Sequence, residues 1–197
     1  EKNIFKHYKN LNRKAFFANA YPQVFFDYLN SGKSRLSVTS LSYLSAGMKL
    51  NNETDVLNGT ALTAEITNER WNSKLNYNLP VINPQTAAER LLKLANENDF
   101  TLYEFFLTDH LGHGRIKNEF EQIFSNIDLF LLHLMKNIPN DLTFIVCSDH
   151  GNLEDLSIKT HTLNPALTIT GGKHAVLLAE SITDISQFKK VISDYCL

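Results

Sequence analysis

The sequence predicts an α/β fold, a mostly parallel sheet covered by helices on both faces, and three observations carry that prediction. Residues 100–107 and 142–147 are short, almost continuously apolar runs, the pattern of strands with both faces buried. Between them, residues 115–136 set Ile116, Phe120, Ile123, Ile127 and Leu134 on one helical stripe. Strand and helix then continue to alternate, and successive strands joined through a helix run parallel.

Taken in order, residues 3–10 read as a short helix and Lys14-Ala15-Phe16-Phe17-Ala18-Asn19-Ala20 as a buried strand. Pro22 suits a helix start, where the N–H it lacks has no partner to lose. Val24, Phe25, Phe26, Tyr28 and Leu29 supply that helix with an apolar face before Ser31-Gly32 breaks the run. Residues 37–46 form the next expected helix, packed through Leu41, Tyr43 and Leu44. Residues 51–83 are rich in Asn and Thr and lack a sustained period, so they are expected as short helices and loops, an irregular cap or cleft-covering segment. Asn83-Pro84 opens a helix through Ala87, Ala88, Leu91, Leu92 and Leu94. After the strand 100–107, helix 115–136 and strand 142–147, a third strand is expected at 166–170, ended by Gly171-Gly172. A further short strand at 174–179 and a closing helix at 185–195 complete one domain over residues 1–197.

With 197 residues and 43% hydrophobic content, the chain can bury a sizeable core. Its 19 basic and 21 acidic side chains give a formal charge of −2, no global field for nucleic acid or an anionic membrane. An anionic substrate must therefore be held by a local device. Two cysteines, Cys147 and Cys196, make no disulfide framework, which favours a reduced, cytoplasmic setting. No apolar stretch approaches the roughly 18 residues that span a bilayer. No feature selects an oligomeric state.

Ligands in such sheets bind outside the carboxyl ends of the strands, and the chemistry-bearing residues cluster there. The strand 100–107 runs into Thr108-Asp109-His110-Leu111-Gly112-His113-Gly114. The strand 142–147 runs into Ser148-Asp149-His150-Gly151-Asn152, with Thr160-His161-Thr162 soon after. Asp and neutral His are natural ligands for a divalent cation such as Mn²⁺ or Zn²⁺. Each piece alone also has a plain reading: Asp109 as a helix cap, Asp149 and Asn152 as turn residues beside Gly151, His161 as a surface residue. Their combination in three strand-end loops argues for a metal site.

These segments resemble the alkaline-phosphatase superfamily, closest to its cofactor-independent phosphoglycerate mutase and phosphopentomutase branch. Ser148-Asp149-His150-Gly151-Asn152-Leu153-Glu154 and Thr160-His161-Thr162-Leu163-Asn164-Pro165 are similar to that branch's Asp-His-Gly-Asn and His-Thr-x-Asn-Pro segments, and Asp109-x-x-Gly112-His113 to its preceding ligand pair. The resemblance covers roughly residues 100 to 170. It implies a three-layer alkaline-phosphatase-like sandwich binding two divalent ions, Mn or Zn. Asp109, His113 and His161 would hold one, Asp149 and His150 the other. Asn152 and Glu154 would support those ligands or face the substrate, a small phosphorylated metabolite. Apart from the resemblance, Arg35 or Lys33 is a candidate contact for its phosphate, set against the plain reading of a solvated surface cation.

The family also uses an Asp from an N-terminal strand ending in Asp-Gly, and a Ser or Thr nucleophile. Neither Asp27 nor Asp55 is followed by Gly, so the chain is expected to be a fragment lacking its first strand and nucleophile, inactive alone. Only about 80 residues separate Ala20 from Phe100, too few for the mutases' large lid, which favours simple hydrolysis. The expected function is therefore metal-dependent phosphoryl transfer. Its alternatives are a phosphodiesterase or sulfatase variant of the same core, or a truncated metal-binding domain with a non-catalytic interaction role.

Overall fold

In a computed structural model, described for residues 3–32 and 36–196, the chain divides into two compact units. One comprises Glu1–Phe105 with Asn126–Leu131, the other Phe106–Ser125 with Leu132–Leu197.

The first unit is organised on a parallel strand pair, β1 (Ala15–Phe17) and β2 (Phe100–Leu102), with Ala15 opposite Phe100. Helix α1 (Ile4–Asn10) starts at Asn3, whose side chain accepts from the Lys6 N–H at 3.2 Å and so satisfies one of the donors a helix start leaves open. Its buried side presents Phe5, edge-on to Tyr43 at 4.9 Å, and Tyr8, stacked on Phe100 at 5.2 Å. Phe17, Ala46 and Leu50 complete this aromatic-rich core, where each large apolar side chain contributes about 1.5–3 kcal/mol by leaving water.

Helices α2 (Gln23–Asn30) and α3 (Val38–Ser45) follow, the latter capped by Ser37. Their apolar faces are thinner than expected: Val24 is 59% and Leu41 57% exposed, while Tyr43 is buried. Two turns of helix offer a core only one or two positions, and Phe25, Phe26 and Leu44 take those. Beyond β1, Asn19 and Ala20 bridge in parallel to Leu62 and Asn51. Residues 51–83 do form short helices and loops, α4 (Glu53–Leu57) and α5 (Glu69–Leu75), and much of the segment is core: Leu62, Thr63 and Ile66 are fully buried and Trp71 packs on Tyr77 at 5.0 Å. Helix α6 (Pro84–Glu97) is capped by Asn83 and buries Ala87, Ala88 and Leu94. At the strand ends the Asn19 amide bonds both ways to the Glu104 backbone, 2.8 Å each. The α/β class is thus realised by a parallel pair wrapped in helices.

The second unit carries α7 (Leu107–Gly112) and a strand pair, β3 (Thr143–Cys147) and β4 (Thr168–Gly172), which runs antiparallel. Helix α8 (Phe120–Asn137) contributes to both units; α9 (Ala175–Ser181) packs on β4, and after a 3₁₀ turn at Ile185–Gln187, α10 (Phe188–Tyr195) packs on α9.

Several boundaries differ from the sequence expectation for identifiable reasons. The strand at 100–107 stops at Leu102, and its apolar end belongs to α7. The helix expected from residue 115 starts at Phe120, because Gly114 adopts φ +67° and the Arg115 N–H turns back to the His110 carbonyl at 2.9 Å. Strand β4 includes the glycines expected to end it; at Gly172, φ is +79° and a Cβ would lie 2.1 Å from the Leu142 carbonyl oxygen. Residues expected as a strand at 174–179 are helical, in keeping with the helix-forming Ala, Leu and Glu of that run. Among the described residues, no helix is long and apolar enough to cross a membrane.

Candidate metal centre

All five residues singled out by spacing lie in the second unit. Helix α7 carries Asp109 in its first turn and ends on His113, a separation of four that puts both on one face. The turn after β3 supplies Asp149 and His150, and an antiparallel bridge between Gly151 and Thr162 brings His161 alongside.

Asp109 Oδ1 is the centre of the group. It is buried and has no hydrogen-bond partner among the described residues, yet His113 Nε2 lies at 3.1 Å, His150 Nε2 at 3.8 Å and His161 Nε2 at 3.9 Å. The rings of His150 and His161 stack at 3.5 Å, and His150 Nε2 is also 3.4 Å from Asp149 Oδ1. Ligand atoms of Asp109, His113 and His161 all fall within 4.8 Å of one another.

The tautomers follow from the other ring nitrogens. His113 Nδ1 is 2.7 Å from the Lys159 carbonyl and His150 Nδ1 is 3.3 Å from the Gly151 carbonyl. A carbonyl only accepts, so each Nδ1 carries the proton and donates. In the neutral ring Nε2 is then a lone pair, turned toward a carboxylate oxygen. The lone pairs of His113 and His150 turned toward this one buried carboxylate oxygen repel it unless a proton or a cation lies among them. The donor set therefore fits a divalent ion.

Behind these side chains the loop is braced by Glu154. Its carboxylate accepts from the Thr162 hydroxyl, from Asn164 Nδ2 at 3.0 Å and from the Asn152 N–H at 2.6 Å. These bonds, that of Thr162 foremost, hold its pKa down at about 2. Asn152 is 5% exposed, with both side-chain polar atoms unpartnered among the described residues. Its amide lies against Gly112, where a Cβ would stand 1.2 Å from Oδ1. Arg35 lies outside the described residues.

Residue types and spacing did not single out Arg115, whose Nη1 is 3.7 Å from Asp109 Oδ2, or Lys159, whose carbonyl orients His113. The position of Arg115 directly after His113-Gly114 was the available signal. Nor did they assign roles to Thr162 and Asn164, which spacing places only as neighbours of His161.

Fold and site together define a metal-binding α/β protein. The profile of the Metalloenzyme superfamily matches residues 49–190, well over half of the chain, and the chain belongs to this alkaline-phosphatase-like family. Its function is accordingly metal-dependent. No curated protein and no solved structure matches the chain.

Proposed function

We propose that this chain carries the two-metal centre of a phosphoryl-transfer enzyme that acts on a small phosphorylated metabolite in the cytoplasm, as a phosphatase or a phosphomutase-like enzyme. The observation that carries the reading is the buried Asp109 Oδ1, without a hydrogen-bond partner among the described residues and ringed by three imidazole nitrogens. Asp109, His113 and His161 hold one ion and Asp149 with His150 the other, Mn²⁺ or Zn²⁺ by the chemistry of the donors. Two such ions supply Lewis-acid neutralisation of the charge that builds on a transferring phosphoryl group. The protein's own part is orientation. The Lys159 and Gly151 carbonyls fix the imidazole tautomers, and Glu154 with Thr162 and Asn164 holds the loop between His150 and His161.

Elemental analysis after loading with Mn²⁺ or Zn²⁺ tests the centre: two ions per chain are expected, and His161→Ala should lose one. Unchanged metal content in that variant refutes the ligand assignment. For the reaction, protein expressed from its complete reading frame should release phosphate from an aryl phosphate only with divalent metal. Activity confined to diesters or sulfate esters assigns a phosphodiesterase or sulfatase instead, and inactivity on all three leaves a metal-binding interaction module.

A further inference from the structure

We infer that Arg115 and Lys159 form an anion subsite beside the metal centre that grips the non-bridging oxygens of a substrate phosphoryl group. The inference rests on the metal-centre reading above and adds to it the device that holds the substrate's charge.

Gly114 makes the juxtaposition. Its φ of +67° turns the chain directly after His113, and the Arg115 N–H closes that turn on the His110 carbonyl at 2.9 Å. The guanidinium is thereby brought to Asp109, Nη1 to Oδ2 at 3.7 Å, the carboxylate oxygen beside the one that faces the imidazoles. That separation is too long for a hydrogen bond, and the Arg115 side chain is 60% exposed. Its planar fork of donors remains available for a bidentate contact to phosphate.

The second cation reaches the same turn from the other loop. A Cβ on Gly114 would lie 3.4 Å from Lys159 Cε and 3.7 Å from its Nζ, so the lysine stem runs across the bare glycine. The Lys159 carbonyl meanwhile holds His113 Nδ1 at 2.7 Å, which ties the position of this lysine to a metal ligand. Among the described residues Lys159 makes no ion pair, and its side chain is exposed. Two cations, one a fork beside Asp109 and one a point charge over Gly114, thus lie at the turn that follows His113. The chain as a whole carries −2 and offers no general attraction for an anion, so a local pair of this kind is what a phosphate group requires.

The test is calorimetric titration of inorganic phosphate into the metal-loaded protein, wild type against Arg115→Gln, Lys159→Gln and Arg115→Lys, with metal content measured in every sample. Loss of one charge-assisted contact should weaken phosphate binding about tenfold in each Gln variant, with Arg115→Lys in between because it keeps the charge and loses the fork. Metal content should stay at the wild-type value. Unchanged phosphate affinity in both Gln variants, with metal retained, overturns the subsite. Loss of metal from Arg115→Gln makes that residue a support for Asp109 and overturns its part, with Lys159→Gln then deciding the rest. A wild-type protein that takes up no metal fails the metal-centre reading, a different result.

Discussion

Replacing Gly151 by Ala isolates how tightly the ligand loop is assembled. Gly151 does not have a positive φ, so alanine meets no backbone penalty and any cost is steric. The new Cβ would lie 2.2 Å from Thr162 Oγ1, 2.8 Å from Glu154 Oε1 and 3.0 Å from the Asn164 carbonyl oxygen, where ordinary contact begins near 3.4 Å. The Thr162 hydroxyl has to retreat by more than an ångström, and the Asn164 contact is with backbone, which has no rotamer to escape into. Overpacking of this kind costs about 1–3 kcal/mol. A loss of about 2 kcal/mol, a Tm fall of roughly 4–8 °C for a chain of this size, is expected. The Gly151–Thr162 bridge separates His150 from His161 by one residue on each side, so metal affinity should fall as well. Thermal denaturation of the apo-protein and a chelator-competition titration read the two effects. Thr162→Ala removes the closest atom, so Gly151→Ala should cost roughly half as much in that background. Equal costs in both backgrounds would refute the steric account.

Other perturbations separate the roles of nearby groups. Asp109→Asn keeps the shape but removes the charge all three imidazoles face, and should weaken Zn²⁺ binding about a hundredfold or more by chelator competition; full affinity would mean the cluster is not the site. Glu154 has its pKa lowered from 4.5 to about 2, so its contribution is present above pH 4.5 and lost as pH falls toward 2. Glu154→Gln should therefore flatten the acid limb of the stability profile between those values, and an unaltered limb counts against the network. Tyr103, whose hydroxyl donates to the Thr63 carbonyl at 2.8 Å, is pushed by burial well above its ordinary 10.0. A raised folded pKa means stability lost as pH rises past 10, so Tyr103→Phe should remove that alkaline loss while costing about 1 kcal/mol at neutral pH. A wild-type-like alkaline profile in denaturant titrations would show the hydroxyl is not the group responsible.

What could be read from the chain followed from local rules. Asn83-Pro84 announced a helix start, and Asn83 caps that helix; the helices expected from residues 3 and 37 begin where Asn3 and Ser37 cap them. The continuous apolar residues of β1 and β3 announced strands, because such runs have few other uses. The errors lie where tertiary geometry decides. Residues 103–107 are as apolar as a strand, yet their end enters α7, a choice between two apolar periods too short to distinguish. Gly172 looks like a terminator, yet it pairs with Thr143, and the Leu142 carbonyl oxygen takes the space a Cβ would fill. At the site, residue type pointed to Asp109, His113, Asp149, His150 and His161. It could not show that all the histidines turn toward one oxygen of Asp109, since that depends on the carbonyls of Lys159 and Gly151.

The glycines beside the candidate ligands each seat a neighbouring side chain. Gly112, in the segment with Asp109 and His113, provides the seat for the Asn152 amide; Gly151, in the segment with Asp149 and His150, provides the seat for Thr162 and Glu154. Asn152 and Thr162 thus each fill space that a glycine of another segment leaves open, which sets the register between candidate ligands distant in sequence. Stability alone does not explain this arrangement, because both polar atoms of the Asn152 side chain are buried without partners among the described residues, and an unsatisfied buried group costs about 1–3 kcal/mol. Asn152→Ala removes that penalty and leaves a small void, two effects of opposite sign, so stability should change by less than about 1 kcal/mol. The metal centre should respond differently, losing about tenfold in affinity as α7 and the loop after β3 lose their key. Denaturant unfolding and metal titration on one preparation distinguish the cases. Unchanged metal affinity would show that Asn152 only fills space, whereas a loss of affinity at constant stability shows that the amide serves ligand register.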